Sequence, residues 1–490
     1  MFKTVRLRRT DGRHEVMDVG RGVAVLGILW FNIYLFALPF EAMVIPMIWG
    51  EHNTLNQLVW DFTAGGIAGV MRGMFSILFG ASAMLLLSRA ERVADQVADI
   101  DRYFRRLLWL IVFGAVHAYL LIWPHDILYA YGLLGMLIFP FRHVSSRKLI
   151  AIAVIMIIGS SIFTSQNVEE LGEARGQMED TLSDEDRKRL RREEPLVDGL
   201  DDFSLFDLPN GALESLVHLA SATNETAEAS QQQFDEEYNE FIERLTAEVT
   251  TRQMGYIGNF LAMAPESFQQ QTTEMMTNHL LDIGAFLLIG MVLFRSGFFI
   301  GQWSEVSYVK LALVGYAVGV TLGVLTRLDV PDSALHKPLA DFVTQYGFDL
   351  RRISLALANF ALVAIIVTRG WLRMIRHSLA ACGRMALSLY IAQTVTCNLL
   401  FMGFGLALFG EVEHYQLAIA SLALTIVQMV LAPLLLARFE QGPLESLLKR
   451  LLNWGAPANF DTMRDVDMAV PDARQSAKSS LHTITHKNRS

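Results

Sequence analysis

Ten apolar runs mark the chain, at 19–39, 68–88, 106–123, 126–141, 147–164, 280–300, 308–327, 352–368, 384–405 and 416–437. Most are long enough to cross a hydrocarbon layer about 30 Å thick at ~1.5 Å of helix rise per residue. Their apolarity is continuous rather than alternating, which predicts helices instead of strands. The run at 126–141 is short, and residues 55–67 suggest an interfacial helix leading into the second span. The expected architecture is all-α: a polytopic membrane bundle of about ten transmembrane helices.

Polar stretches divide these runs. Residues 1–164 hold five spans and form an N-terminal transmembrane half. A polar segment at 165–279 follows, first acid-rich (Glu169, Glu170, Asp180, Asp184, Glu185, Asp186), with a basic patch at 187–192. Within it, 226–254 reads as a helix whose Phe234, Tyr238, Phe241, Ile242 and Leu245 form one apolar stripe. The expectation is a partly helical insert on the outer face. Residues 280–456 hold five more spans and an amphipathic helix, GPLESLLKRLLNWG, suited to the cytoplasmic membrane surface. The polar tail at 457–490 is expected to be disordered and cytoplasmic.

Charge orients the bundle. Lys3, Arg6, Arg8, Arg9 and Arg13 precede the first span; Arg89, Arg92, Arg102, Arg105 and Arg106 follow the second. Arg142, Arg147 and Lys148 follow the fourth, Arg369, Arg373 and Arg376 the eighth, and Arg438, Lys449 and Arg450 the tenth. Loops 40–60, 124–125 and 406–415 contain no Lys or Arg. This asymmetry places both termini in the cytoplasm of a cell with a plasma (inner) membrane. The loop at 328–351, near Arg327, Lys337 and Arg351, fits less well, so an odd number of crossings stays open.

Composition agrees: 52% of residues are hydrophobic and 19% charged, the balance of an integral membrane chain. The net charge of −9 reflects the clustered acids, and no basic stripe with aromatics suggests nucleic acid. Cys382 and Cys397 are the only cysteines; one helix would hold them about 22 Å apart, too far for a disulfide. The first apolar run is too long for a signal peptide and reads as a retained span.

Several polar groups fall inside the apolar runs. Asp18 and Arg21 stand at the entrance of the first span, and Asn32 lies eleven residues beyond Arg21, about 16 Å along the axis. Such an amide is costly in lipid unless the bundle satisfies it. Arg106 and His117 repeat the same interval in the third span, which places His117 at a depth similar to that of Asn32. After a turn at Trp123–Pro124–His125, the chain re-enters with Asp126 and Tyr131. A histidine beside a carboxylate suits a general base with its orienting partner; a hydrogen bond that merely packs two helices fits as well. Tyr390, Gln393, Thr394 and Cys397 share one face of the ninth span, either lining a polar cavity or joining helices. Arg72 with Asp61, and Asp282 with Arg295, read as interfacial anchors, Arg295 by snorkelling. Gly65, Gly66, Gly69, Gly73 and Gly80 suggest close helix packing. His14, His52 and His125 lack metal-ligand spacing, and no metal site is expected. The chain has no nucleophile elbow, phosphate-binding P-loop, C-x-x-C or H-E-x-x-H.

MDVGRGVAVLGILWFNI, MFSILFGASAMLL and GAVHAYLLIWPHDILYAYGLLG resemble the YeiB-like membrane proteins, whose C-terminal half is a domain of unknown function. IGMVLFRSGFF, CGRMALSLYIAQTVTC and GPLESLLKRLL continue the likeness in order, and it covers nearly all spans. Ser446 departs from that pattern, which has tryptophan there. The YeiB-like proteins in turn look related to transmembrane acyltransferases, some of which carry asparagine where Asn32 stands, with a histidine in the next outer loop, where His52 lies. The resemblance implies an acyltransferase that moves an acyl group from a cytoplasmic acyl-CoA to an outer-face lipid or glycan. His117 would be its base, Asp126 the orienting group and Asn32 the oxyanion donor. Arg21, Asp18, Tyr131, Arg384, Tyr390 and Gln393 would bind substrate. Acyl-CoA would be a co-substrate, with no tightly bound cofactor; the bilayer, an acceptor lipid or glycan and another copy of the chain are the expected partners. A small-solute permease or a non-catalytic scaffold remain the alternatives.

Overall fold

A computed structural model describes residues 15–39, 54–90, 96–162, 246–325 and 337–454. Within them every regular element is helical, as continuous apolar runs require where lipid offers the backbone no hydrogen-bond partner. The N-terminal arm, the loop with His52, most of the acidic insert with its expected stripe, the loop at 326–336 and the tail lie outside the described residues.

In chain order the elements are α1 (Glu15–Ala37), α2 (Thr54–Phe62) with a π turn at Thr63–Ile67, α3 (Val70–Ala90) and α4 (Gln96–Ala115) with a π turn at Val116–Leu120. Then come α5 (Leu128–Leu137), a helix α6 over 146–162, α7 (Tyr256–Gln271), a third π turn at Met275–His279, and α8 (Leu280–Arg295). The remainder are α9 (Glu305–Leu325), α10 (Lys337–Arg369), α11 (Arg373–Arg384), α12 (Ala386–Phe401), α13 (His414–Arg438) and α14 (Pro443–Asn453).

Each of the ten apolar runs contains a helix. Six segments are long and apolar enough to cross a membrane: Glu15–Ala37, Thr54–Ser88, Tyr256–Arg295, Glu305–Leu325, Tyr346–Arg369 and His414–Arg438. The others are short or carry charge; α5, with 10 residues, rises only about 15 Å. Two boundaries differ from expectation. Helix α10 begins inside the loop expected at 328–351. Helical structure also runs through 256–279, the end of the segment expected as an outer-face insert. That stretch belongs to the bundle: the Tyr256 hydroxyl donates to the Leu120 carbonyl at 2.6 Å and Ser267 Oγ to the Ala118 carbonyl at 3.3 Å.

Helix α1 is the centre. Its buried residues, among them Val25, Leu26, Ile28 and Leu29, point in every direction around the axis, the pattern of a helix enclosed by others. It meets α3, α10, α11, α12 and α13. The outermost helices have the reverse character: only 11% of the apolar window of α13 is buried, and Ile419, Leu422, Ile426 and Val430 project outward. An apolar exterior of this kind is a lipid-facing one.

Glycines set the closest approaches. A Cβ at Gly80 would collide with the Leu287 carbonyl of α8, and one at Gly290 with the Ile77 carbonyl of α3. Helices meet through small residues in this way where the hydrophobic effect does not drive them together. Gly80→Ala and Gly290→Ala should therefore each cost about 1–3 kcal/mol by forcing two backbones apart. Thermal melting in detergent measures this, with Gly255→Ala as the control, since a Cβ there meets nothing within 4 Å. Wild-type melting of both variants would refute the packing argument.

Candidate functional site

The α4–α5 hairpin brings His117 and Asp126 together. His117 Nδ1 lies 2.6 Å from Asp126 Oδ1, and Asp126 Oδ2 accepts the Tyr129 N–H at 2.8 Å. Gly114 allows this, since a Cβ at that position would press on Asp126 Oδ2 and the Tyr129 nitrogen. On its other side, His117 Nε2 lies 2.8 Å from Thr394 Oγ1 of α12. An ionised carboxylate only accepts, so Nδ1 carries the proton in neutral imidazole and Nε2 accepts from the threonine hydroxyl. The result is an acid–imidazole–hydroxyl chain with the connectivity of a Ser-His-Asp triad. Its side chains are sealed: His117 is 0% exposed and Asp126 1%.

Tyr390 stands between this relay and a cavity that Tyr131 also lines. The Tyr390 ring meets the His117 ring edge-on at 4.9 Å between centroids, and its hydroxyl accepts the Trp123 indole N–H at 3.2 Å. Tyr131 stacks on Phe79 and shares a 2.9 Å hydrogen bond with Ser76. Both tyrosines line a cavity of about 350 Å³. Its walls are apolar, including Val25, Ile28, Leu78 and Phe79, and its other end gathers Asp18, Arg21, Ser82, Arg106, Arg384 and Glu445. Arg21 is held by Asp18 at 3.3 Å and donates to Ser82 at 3.2 Å. Arg106 has no carboxylate partner among the described residues.

Of the residues singled out from sequence, the structure thus brings His117 to Asp126, and places Asp18, Arg21, Tyr131, Arg384 and Tyr390 around one cavity. Asn32 does not join them. It is half-buried on α1 and makes no hydrogen bond among the described residues, and the third member of the relay is Thr394. Nor does Gln393 line the cavity; its amide donates to the Val25 carbonyl at 3.1 Å and to Gln428 at 3.0 Å, joining α12 to α1 and α13. Sequence reasoning missed Ser82 and Glu445 as cavity residues. The only signal for Glu445 was its place in an amphipathic helix beside a membrane surface.

Three of the expected interfacial anchors, Arg72, Asp282 and Arg295, bond to other parts of the bundle. Arg72 donates to Asp282 at 2.6 Å, and Arg352 donates to both Asp282 and Asp349. Ser161 completes this network, donating to Asp349 at 2.8 Å. Arg295 donates to the Arg142 and Val144 carbonyls. Among the described residues no cluster of three or more His, Cys, Asp or Glu is placed to hold a metal.

A multi-pass helical membrane protein with a buried polar relay beside an arginine-rimmed cavity is the class that these features define. Residues 293–455 match the model of the family described as "Protein of unknown function (DUF418)". The chain is similar to "Uncharacterized protein YeiB" of Escherichia coli (strain K12), with 27% identity over 92% of this chain and 100% of YeiB. It is also similar to "Uncharacterized protein YxaH" of Bacillus subtilis (strain 168), with 25% identity over 91% of this chain and 96% of YxaH. No solved structure matches the chain significantly.

Proposed function

We propose that this protein is a membrane acyltransferase that takes its donor, a phosphate-bearing acyl thioester such as acyl-CoA, into the cavity from the face carrying Arg21, Arg106 and Arg384. That face is cytoplasmic on the positive-inside rule, in the inner membrane of the cell. One observation carries the reading: the cavity joins an arginine rim to Tyr131 and Tyr390, and the Tyr390 ring rests on the imidazole of the relay. Guanidinium groups suit phosphate oxygens, and the apolar walls suit a pantetheine arm and acyl chain.

In the reaction, Tyr390 swings aside and an acceptor hydroxyl from an outer-face lipid or glycan takes the place of Thr394 at Nε2. His117 removes its proton while Asp126 holds the tautomer. The acceptor oxygen bonds to the thioester carbon, the carbon–sulfur bond breaks, and the proton passes from His117 to the departing thiolate. Products are the acyl ester and the free thiol.

Full burial of the imidazole also favours a second reading, in which the relay only fastens α4, α5 and α12 together. Incubating the protein in nanodiscs with labelled acetyl-CoA and envelope lipid and glycan extracts separates the two. Acyl transfer predicts label on an acceptor, and Arg106→Gln should raise the KM for the donor about tenfold, a loss of ~1.4 kcal/mol. No transfer to any extract would leave the fastening role.

A further inference from the structure

A second hollow lies on the outside of the bundle, between α4 and α14. It is a groove of about 340 Å³ lined by Arg105, Leu108, Trp109, Val112, Leu451 and Trp454. None of these residues lines the relay cavity. The four on α4 fall at i, i+3, i+4 and i+7, one face of a helix, and Val116 extends the row by another turn. Leu108, Val112 and Val116 are exposed apolar side chains. From Arg105 to Val116 the row climbs about 16 Å, close to half of a hydrocarbon core about 30 Å thick. An apolar face of this length, with an arginine at its foot, matches one leaflet of a bilayer.

The foot of the row is charged and aromatic. Arg105 holds Asp101 with Nε at 2.7 Å and donates from Nη1 to the Trp454 carbonyl at 3.1 Å. Its Nη2 makes no hydrogen bond among the described residues. Arg450 is exposed and shares one face of α14 with Leu451 and Trp454. Its guanidinium has no carboxylate partner among the described residues. Asp101 therefore answers Arg105, and no acid there answers Arg450. Trp109 and Trp454 flank the groove, as tryptophans do at the level of lipid headgroups.

We propose that this groove binds an anionic phospholipid from the leaflet on the Arg105 side. The lipid phosphate sits between Arg105 Nη2 and the Arg450 guanidinium, which suit its oxygens. The glycerol region lies between the two tryptophans, and one acyl chain runs up the α4 row. Basic pockets between helices at a membrane surface take anionic headgroups in this way. A soluble phosphate would leave the apolar floor uncovered, and a zwitterionic lipid would bring its own cation to Arg450. An anionic phospholipid satisfies both halves of the groove. Bound there, it ties α4 to the end of α14, the helix whose Glu445 and Leu448 line the relay cavity. The site rests on no acyl chemistry.

Phosphatidylglycerol and phosphatidylcholine with identical chains, titrated into delipidated protein in neutral detergent, test this by native mass spectrometry. One phosphatidylglycerol should bind about fivefold more tightly than phosphatidylcholine, the effect of one basic residue near a headgroup. Arg450→Gln should remove that preference. Arg105→Gln should weaken both lipids, because both carry the phosphate. Lys148→Gln, which removes an exposed charge from α6, should change neither. The Arg450 side chain makes no hydrogen bond or ion pair among the described residues, so Arg450→Gln reports binding even if Arg105→Gln fails to fold. In nanodiscs, phosphatidylglycerol with a diazirine in one chain should label 108–112 and 451–454 more heavily than the lipid-facing α13. Equal affinity for the two lipids, or a preference that survives Arg450→Gln, overturns the site. Labelling spread evenly over α4 and α13 overturns it as ordinary annular lipid. Absence of label at the groove overturns it as a face covered by protein.

Discussion

Asp282→Ala should lower the stability of the bundle by about 3–5 kcal/mol, the cost typical of removing one partner from a buried ion pair. Asp282 binds two arginines at once: Arg72 at 2.6 Å and Arg352, whose side chain is only 2% exposed. Without the carboxylate, Arg352 keeps Asp349, while Arg72 keeps no acid among the described residues. The low dielectric that strengthens the pair makes the orphaned charge expensive. Arg352→Met should be damaging for the mirror reason, leaving Asp349 with Ser161 as its remaining side-chain partner among the described residues. The double variant Asp282→Ala/Arg352→Met should lose less than the sum of the two, because the main attraction and its desolvation disappear together. Thermal or denaturant unfolding in detergent gives all three values. Additive losses, or a single loss below about 1 kcal/mol, would mean that the network contributes little.

The second large effect belongs to the relay. If the protein transfers acyl groups, His117→Ala should reduce kcat by about 10³-fold, within the range expected for a positioned acid–base group. Asp126→Asn should come close to this, because an amide offers a donor as well as an acceptor and no longer fixes the imidazole tautomer. Thr394→Val removes the hydroxyl while keeping the shape. In the proposed reaction the acceptor replaces that hydroxyl, so this variant should lose less than tenfold. A collapse of kcat in Thr394→Val equal to that in His117→Ala would instead make the threonine oxygen itself the acyl carrier. Equal melting temperatures of wild type and variants would be needed to read any of these as chemistry.

The helical character of the apolar runs is legible in the sequence because a membrane leaves the backbone few alternatives. The pairing of His117 with Asp126 is legible too: a tight turn at Pro124 separates them, so little beyond the hairpin is needed to join them. Asn32 shows the limit of the same reasoning. Equal depth places two residues in one layer but says nothing of the direction each faces around its helix, and Asn32 and His117 do not meet. Thr394 was visible on a polar stripe, yet its partner depends on how α12 packs against α4, which one sequence does not encode locally. Arg72 and Asp282 failed for a related reason. Each sits near the end of an apolar run, where an anchor in the headgroups is the simplest assignment, and only the contact between α3 and α8 turns them into a pair. Helix α7 was hidden by polar residues, and Pro265 within it further obscured its continuation into α8.

The π turn at Val116–Leu120 makes the aim of the imidazole a matter of counting. Such a turn carries one residue more than the α geometry on either side of it. Each residue of helix corresponds to roughly 100° of rotation, so a chain shortened by one here would rejoin as a regular helix with its two ends re-phased. Either the imidazole or the Trp123–Asp126 corner would then point elsewhere, although every side chain named above was still present. No point substitution at a distance compensates for an error of phase; only reinsertion does. The segment should therefore tolerate changes of identity far better than changes of length.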